Sequence, residues 1–405
     1  MPQPLVLDPT ARRRAEEEAV LQAAPGPVLV DILGEKAWAV GDPDLLKQLL
    51  TDPRVSKDPR QHWPRFIAGE IVGKWPLYLQ VSVDNMFTAY GSAHRRLRRL
   101  VSPAFTARRM AEMVPSVQRN VDDLIAALSA HQGQVVDLRS DFAVQLPIRV
   151  ISDLLGVPEA LRSPFRATID RIWDTTSTPD EAMASAAAVY AMLEEHVRTK
   201  RAEPGDDLTT TLIATRDDEN GGTALTEREL VDTLLLVIAA GYETTVNLID
   251  SAVTALLSDP AQLAHVTEGR ATWEDVVEET LRFAAPVSHM PMRYAVEDIA
   301  CPGGVTILQG DAILPSFGAA SRHPRHQEEG TADRFDVLRK DKSHVSFGHG
   351  VHFCLGAPLA RAEAAIGLAA LFGTFPGLEL AVRPDELAPI ASILGNGHVT
   401  LPVRL

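Results

Sequence analysis

The 405-residue sequence contains little cysteine, no excess of positive charge and no uninterrupted apolar segment. Its two cysteines, Cys301 and Cys354, are too few for a disulfide framework, so each thiol would act alone in a reducing compartment. Acidic residues outnumber basic residues by 54 to 39, which argues against non-specific binding of nucleic acids or acidic lipids. Acidic residues such as Asp232 and Glu243 interrupt the most hydrophobic stretch, 230–257, and argue against a membrane span. Because no apolar signal-peptide segment is visible near the N-terminus, the sequence predicts a cytoplasmic protein.

The spacing of apolar residues predicts a mainly α-helical protein with a small β portion. A capping box formed by Thr226 and Glu229 predicts the start of a long helix that ends near Ser258. Scattered Trp, Pro and Gly residues predict a long irregular loop at 61–93. No internal repeat or low-complexity linker divides the chain, so one domain spanning 1–405 is expected. Other predicted elements are a hairpin at 26–40, helices at 43–50, 108–131, 158–173, 179–201, 272–285 and 358–375, short strands within 293–336, and a closing strand at 398–405.

The densest chemical signal is the segment from Phe347 to Gly356, which has the sequence FGHGVHFCLG. Gly348 permits a tight turn, and Gly356 leaves room for a bulky group beside the backbone. Cys354 precedes a predicted helix, whose N–H groups and dipole would stabilise a thiolate. Zinc binding by Cys354, His352 and neighbouring histidines lacks the usual second ligand pair, and a phosphate loop would need Gly-Lys-Ser/Thr. A buried structural cysteine is the simplest alternative, but it leaves the surrounding Phe, Gly and His residues unexplained.

This segment resembles the haem-binding loop of the cytochromes P450, a family of haem-thiolate monooxygenases. The resemblance implies the P450 fold, with haem b buried between the long central helix and the cysteine-containing loop. It makes Cys354 the axial thiolate ligand of the iron and places Phe347, Gly348, His352 and Gly356 in the cofactor-binding loop. A thiolate ligand pushes electron density onto the iron and favours O–O cleavage.

The predicted long helix contains the sequence AGYETT, which begins at Ala240. Helical spacing puts Val237, Ala240, Gly241 and Thr244 on one face, where small residues let a flat group lie close. Thr244 can also donate a hydrogen bond to the carbonyl of Ala240 and bend the helix. Packing between two helices is the alternative, although it does not explain Glu243 in so apolar a helix. The resemblance implies that Ala240 and Gly241 contact the haem, Thr244 interacts with dioxygen and Glu243 delivers protons.

Glu279 and Arg282 match the family's Glu-x-x-Arg motif and can pair on one helix face. An ordinary surface ion pair is the alternative for this spacing. The resemblance gives the pair a structural role in supporting the haem loop, together with residues 333–336.

His94 and Arg98 lie one turn apart on a predicted helix. A solvated basic face is the alternative interpretation of these two residues. The family neutralises the two haem propionates with such a pair, assisted by the positions matched here by Arg293 and His352. Desolvated carboxylates require cationic donors, so the resemblance predicts that these four residues bind the propionates.

A basic patch stands out in this acidic chain, because no acidic residue occurs between Asp84 and Glu112. We expect Arg95, Arg96 and Arg99 to point away from the propionate ligands, on the surface where the family docks an acidic ferredoxin. A nucleic-acid site is the alternative, but no nucleic-acid-binding fold is recognisable. Because the P450 fold uses the whole chain, no fused reductase is expected, and electrons would come from a separate ferredoxin and ferredoxin reductase.

The resemblance places the substrate opposite Cys354, under a lid formed by residues 61–93 and 164–187. The sequence FTAYGSAH at 87–94 resembles an actinobacterial subgroup that hydroxylates macrolides or steroids. An apolar lining argues for a lipophilic substrate such as a steroid, macrolide or terpenoid, although each lining residue could equally belong to the core. The predicted lining residues are Val237, Ala240, Val287, Met290, Ile393 and Leu394.

The predicted reaction is the O2-dependent insertion of one oxygen atom into an unactivated C–H bond. A peroxide-driven haem enzyme is one alternative, and it would tolerate the loss of Glu243 and Thr244. A non-catalytic haem sensor or carrier is the other alternative. No nucleic-acid or membrane partner is expected.

Overall fold

A computed structural model describes residues 3–217 and 223–405, so residues 1–2 and 218–222 of the predicted domain lie outside the described residues. Helices form most of the described structure, as the apolar spacing predicts. They are α1 (Arg14–Ala23), α2 (Pro43–Thr51), α3 (Pro59–His62), α4 (Pro64–Ile67), α5 (Tyr78–Ser82), α6 (Gly91–Val101), α7 (Ala107–Ser129), α8 (Gln145–Leu155), α9 (Glu159–Trp173), α10 (Pro179–Ala202), α11 (Leu208–Ala214), α12 (Glu227–Ser258), α13 (Pro260–Thr267), α14 (Trp273–Phe283), α15 (Phe317–Ser321) and α16 (Ala357–Thr374).

The β portion consists of short strands. They are β1 (Leu5–Val6), β2 (Val28–Ile32), β3 (Glu35–Val40), β4 (Val55–Ser56), β5 (Val135–Asp137), β6 (Arg216–Asp217), β7 (Thr223–Ala224), β8 (Arg293–Ala295), β9 (Ile299–Ala300), β10 (Thr306–Ile307), β11 (Ala312–Pro315), β12 (Glu379–Leu380) and β13 (Pro402–Arg404). The largest sheet has the strand order β1-β2-β3-β11-β8-β4, and a smaller sheet has the order β12-β13-β5.

Two pairings in the largest sheet bear on the site. The predicted hairpin is confirmed as β2 and β3, with Leu29 opposite Trp38. Strand β4 runs antiparallel to β8, with Ser56 opposite Tyr294, and this pairing brings the start of β8 beside the chain that follows β4.

Helix α12 forms the centre of the helical portion and contacts α8, α10, α14 and α16. The predicted capping box opens it: Thr226 N–H donates to Glu229 at 2.8 Å, and Glu229 N–H donates to the Thr226 hydroxyl at 3.1 Å. Among the described residues α12 alone has the length and apolar composition of a membrane-crossing helix, but 72% of its most apolar window is buried within the protein. Such burial is typical of a core helix.

Two sequence predictions need correction. The segment 61–93 is not irregular, because it contains α4 and α5 and its tryptophans are buried; Trp75, for example, donates from its indole to the Ile32 carbonyl at 3.0 Å. The closing strand is shorter than 398–405 and covers Pro402–Arg404. Helix α8 was not predicted, because its β-branched residues favour a strand by local preference.

Candidate active site

The segment containing Cys354 folds as a tight loop in the chain between α15 and α16. Gly348 and Gly350 adopt φ values of +73° and +72°, a region that favours glycine. The Cys354 N–H donates to the Phe347 carbonyl at 2.9 Å, and α16 begins at Ala357. A Cβ added to Gly356 would lie 3.8 Å from Cys354 Sγ, so this glycine adjoins the sulfur. The loop therefore presents one thiol at the start of a helix.

Opposing effects act on this thiol. Desolvation by the surrounding protein raises the pKa of Cys354, while hydrogen bonds from the Gly356 and Ala357 amides and the charges of Arg98 and Arg361 lower it. The residue is exposed and unpaired in any disulfide. Arg361 also stacks over the Phe347 ring, with 4.5 Å between the guanidinium carbon and the ring centroid. This cation–π contact holds the Phe347 side chain in place. A thiol so placed becomes a thiolate once a metal ion binds it.

Four side chains that carry or can carry positive charge converge beside this loop, as the sequence analysis expects. His94 and Arg98 come from α6, Arg293 from β8 and His352 from the loop, and the two imidazole centroids lie 4.1 Å apart. Arg98 Nη2 also donates to the Phe353 carbonyl at 2.7 Å. Within the ranges that the structure describes, none of the four forms an ion pair with a carboxylate.

The charges and burial of this cluster favour the binding of anions. His94 Nε2 and Arg293 Nε are buried and have no hydrogen-bond partner. Burial, reinforced by the charges of Arg98, Arg293 and Arg95, lowers the pKa of His94 to about 4, and burial lowers the pKa of Arg293 to about 10. Burial and the neighbouring cations also lower the pKa of His352. Buried cations without counter-charges are unfavourable, so the cluster suits a ligand that carries carboxylates.

A largely apolar cavity adjoins the middle of α12. Thr244, Ala240 and Met290 line it, and the Thr244 hydroxyl donates to the Ala240 carbonyl at 2.7 Å, which confirms that predicted hydrogen bond. Both predicted lid segments contribute to its wall. The residues from these segments are Leu79, Gln80, Val83, Asn85, Phe87, Ile172 and Trp173, and the remaining lining residues are Leu235, Leu236 and Ala239.

The first lid segment is tied to α12 through Asp232, which is fully buried. The Asn85 amide donates to the Asp232 carbonyl at 2.7 Å, and the Asp84 N–H donates to the Asp232 carboxylate. From α10, the Tyr190 hydroxyl also donates to that carboxylate at 2.6 Å. These bonds hold the wall against the helix, so an acidic residue in this apolar stretch has a structural reason.

The predicted face of α12 needs correction. Gly241 faces α8, where an added Cβ would lie 2.7 Å from Ile151 Cδ1, so its small size serves helix packing rather than the cavity. Val237 is buried and does not line the cavity. The face of α12 that borders the cavity carries Leu236, Ala240 and Thr244 instead. Three other expected lining residues are also buried outside this wall; they are Val287, Ile393 and Leu394.

Glu243 lies beside Thr244 in sequence and belongs to a buried polar network. Arg139 Nη2 donates to Glu243 at 3.1 Å and Arg139 Nη1 donates to Asp250 at 2.7 Å. Asp250 in turn pairs with His398 Nδ1 at 2.6 Å. Burial raises the pKa of Glu243 to about 7, and Arg139 opposes that rise. Glu243 can therefore hold a proton near neutral pH.

Sequence patterns missed the partners in this network. Arg139 is 104 positions from Glu243, and Asp250 is 148 positions from His398. The only local signal was the presence of acidic residues in an apolar helix, which indicates that buried partners exist without identifying them.

Glu279 and Arg282 form a fully buried, bidentate ion pair on α14, with both N–O distances at 2.8 Å. Glu279 also accepts from the Asp336 N–H at 2.8 Å and from Arg339 Nε at 3.2 Å. Arg282 donates to the carbonyls of residues 332 and 334. The pair therefore anchors the chain that leads to the cysteine loop, and the surface-pair alternative is excluded.

We expect Glu279→Gln to destabilise the protein by about 3–5 kcal/mol, because Arg282 and Arg339 would be left buried without their counter-charge. Urea unfolding followed by circular dichroism measures this loss. Glu16→Gln removes the same charge from an exposed pair with Arg13 and serves as the matched control, with no measurable effect expected. Equal unfolding free energies for the two variants would contradict the assigned role.

The predicted basic surface is only partly present. Arg95 and Arg99 are exposed on α6. Arg96 is not available to a partner there, because it forms a salt bridge with Glu229 at the start of α12. This pair joins α6 to α12 and corrects the expectation that all three arginines face a partner.

Comparison with known proteins supports one class for this arrangement. The family model described as cytochrome P450 matches residues 148–269 and 271–387. The chain is 43% identical to 2-hydroxy-5-methyl-1-naphthoate 7-hydroxylase from Streptomyces carzinostaticus, over 99% of this chain and 97% of that protein. It is 38% identical to 6-deoxyerythronolide B hydroxylase from Saccharopolyspora erythraea, over 93% and 92% of the two chains. The solved structure of CYP154A1 from Streptomyces coelicolor A3(2) superimposes with a TM-score of 0.94 at 54% identity, covering 99% of this chain and 100% of that one.

The fold and the thiol-bearing loop thus define a haem-thiolate oxidoreductase. The chain belongs to the cytochrome P450 family and has its mainly α fold, with haem b held by an axial cysteine thiolate. It is a bacterial P450 monooxygenase, as its relatives are named hydroxylases. The residues present fit the cofactor, because an exposed thiol and a cluster of basic side chains with unpartnered buried nitrogens match an iron porphyrin with two carboxylates.

Proposed function

We propose that this monooxygenase inserts one atom of O2 into a C–H bond of a lipophilic small molecule of the steroid, macrolide or terpenoid type. We further propose that it acts in the cytoplasm and that residues 1–405 form one domain. The observation that carries the proposal is the position of a cavity-lining hydroxyl, Thr244, next in sequence to a buried acid, Glu243, on the central helix α12.

Bound haem supplies the activation of O2 at its iron, and the chain's residues hold and orient it. Cys354 provides the thiolate, with its charge stabilised by the Gly356 and Ala357 amides. His94, Arg98, Arg293 and His352 provide cationic or hydrogen-bonding groups for the propionates. Phe347 and Gly348 would shape the loop that holds the haem, and the small side chain of Ala240 would leave space for it.

The proton supply is assigned to Glu243 and Thr244. A carboxyl group with a pKa near the working pH both gives up and regains protons efficiently. Arg139 orients Glu243, and Asp250 with His398 continues the polar chain toward the surface, where the His398 side chain is 23% exposed. Thr244 places its hydroxyl at the cavity wall, so a proton held by the buried acid has an adjacent polar group on the reacting side.

The substrate class follows from the cavity wall, which is dominated by aliphatic and aromatic side chains. Ala240 and Met290, which the sequence predicts as lining residues, lie in the cavity wall and are the proposed substrate contacts. The relatives named above act on a methylated hydroxynaphthoate and on 6-deoxyerythronolide B, which supports a polyketide-sized apolar substrate. Val237, Val287, Ile393 and Leu394 act behind the wall as packing residues.

Electrons are assigned to a separate ferredoxin and ferredoxin reductase. The exposed Arg95 lies on α6, the helix that also carries His94 and Arg98 toward the cofactor. Positive side chains on such a surface attract an acidic electron carrier.

Reconstitution with a surrogate ferredoxin and reductase tests this proposal across a panel of steroids, macrolides and aromatic polyketides. We expect hydroxylated product, and we expect product formed per NADPH to fall as pH rises above about 7, because Glu243 then loses its proton. Glu243→Gln should lower this ratio at every pH and flatten its pH dependence. Substrates for the reaction are first selected by the Soret shift that each compound causes.

A control variant and two contrary outcomes make the result decisive. Glu227→Gln removes a carboxylate from the exposed start of the same helix and should keep the wild-type pH profile. No product from any compound that shifts the Soret band would favour a haem sensor or carrier instead, and product with hydrogen peroxide at a wild-type rate in Glu243→Gln would favour a peroxide-driven enzyme.

A further inference from the structure

Lys57 is a buried lysine that the site described so far does not use. It follows β4 directly and is 4% exposed. Its ammonium lies over the face of Phe87, with 3.2 Å between Nζ and the ring centroid. In residues 3–217 and 223–405, no carboxylate pairs with it. Because a buried ammonium without a counter-charge is unfavourable, this position suits an anion.

A second unpaired cation lies beside it. Ser56 pairs with Tyr294 across β4 and β8, so Lys57 and Arg293 are the next residues along these two chains. Arg293 is 5% exposed, and its Nε has no hydrogen-bond partner. Burial, with the charge of Arg293 added, lowers the pKa of Lys57 well below its ordinary value. The two charges repel each other in a desolvated environment, and an anion bound between them would neutralise both.

Lys57 also borders the cavity. The Phe87 ring beneath its ammonium is part of the cavity wall that includes Ala240 and Thr244. The ammonium therefore contacts an aromatic residue of the cavity wall, and it is close enough to Arg293 of the cation cluster for the two charges to interact. A carboxylate can reach this position either from the cofactor or from a molecule in the cavity.

We propose that Lys57, together with Arg293, binds a carboxylate at the edge of the cavity. The carboxylate belongs either to a haem propionate or to the substrate, and the two sources share the same recognition chemistry. A lysine suits this task because its ammonium is a compact charge that requires no fixed plane of approach. The proposal that the carboxylate belongs to the substrate rests on the proposed function. The proposal that it belongs to a propionate rests on the haem that the family carries.

Lys57→Met tests the proposal, because methionine keeps a flexible apolar stem over Phe87 and removes the charge. Lys340→Met, on the exposed surface, is the matched control. Thermal unfolding and the carbon monoxide spectrum of each variant establish that it is folded and contains haem. Lys57→Gln provides a second, polar neutral variant where the methionine variant does not fold.

The first measurement is the rate of haem transfer to excess apomyoglobin, and the second is a Soret-shift titration with 1-naphthoate and methyl 1-naphthoate. A propionate contact predicts about tenfold faster haem loss from Lys57→Met than from Lys340→Met. A substrate contact predicts about tenfold weaker binding of the acid with unchanged binding of the ester. Either result supports the site, and each identifies its own source.

The proposal is overturned if Lys57→Met loses haem at the same rate as Lys340→Met and also shows no weaker binding of the acid relative to the ester. Failure of every form to bind the acid, together with that unchanged haem loss, overturns it as well. Failure of the proposed function would show differently, as the absence of hydroxylated product from the wild-type protein. That result leaves both binding measurements intact, so the two failures are distinguishable.

Discussion

Cys354→Ser abolishes the absorption band that the carbon monoxide complex of reduced, thiolate-ligated haem shows, and with it all NADPH-dependent hydroxylation. The reason is that a serine hydroxyl is not deprotonated as readily as a thiol and does not give the iron the electron density that favours O–O cleavage. Difference spectroscopy of the purified variant after haemin addition measures the effect. Residual hydroxylation should fall below detection.

The second cysteine provides a matched control for this experiment. Cys301 is partly buried, and its sulfur lies 3.7 Å from the Ile299 carbonyl, far along the chain from the haem loop. Cys301→Ser should therefore keep the wild-type carbon monoxide band and activity. A wild-type band in Cys354→Ser, or loss of the band in Cys301→Ser, would contradict the assignment of the ligand.

Thr244→Ala uncouples NADPH consumption from product formation, with product per NADPH falling by about a hundredfold. The Thr244 hydroxyl lies in the cavity wall and donates a hydrogen bond to the Ala240 carbonyl, so the substitution removes the hydroxyl to which we assign proton transfer at the cavity. The measurement is product by chromatography against NADPH by absorbance, in the same reaction. NADPH consumption itself should change little.

Thr244→Ser keeps the hydroxyl and removes only a methyl group, so it should retain most of the wild-type coupling. Loss of coupling in both variants would indicate a packing role for the residue instead. Unchanged coupling in Thr244→Ala would show that protons reach the site without this hydroxyl, and would favour the peroxide-driven alternative.

Features that are contiguous in sequence were predictable. The loop around Cys354 carries its glycines, aromatic residue and thiol within one short segment, and the capping box at Thr226 and Glu229 is a local hydrogen-bonding pattern. The hairpin at β2 and β3 is likewise local. In each of these, the physical cause of the structure lies within a few residues of the pattern.

Features that depend on tertiary packing were not predictable in detail. Successive residues of a helix point about 100° apart, so a small error in the predicted orientation of α12 assigns the wrong residues to the cavity. The sequence analysis placed Val237 and Gly241 on the cavity face, whereas Leu236 and Ala239 occupy it. The order in 61–93 comes from burial of Trp75 and its neighbours against the sheet, which local composition does not reveal.

Polar partners that are distant in sequence were the hardest features to predict. Arg139 meets Glu243, and Lys57 adjoins Arg293, only because distant elements fold against each other. A charged residue in an apolar environment signals that such a partner is needed but not which one it is. The same holds for Arg96, whose role is decided by its contact with Glu229.

The crystal structure of the haem-containing protein tests the central claim most directly. We predict continuous electron density between Cys354 Sγ and the iron, with the porphyrin between that loop and α12. Density that joins the iron to a different side chain, or a Cys354 side chain turned into ordinary protein packing, would contradict the account.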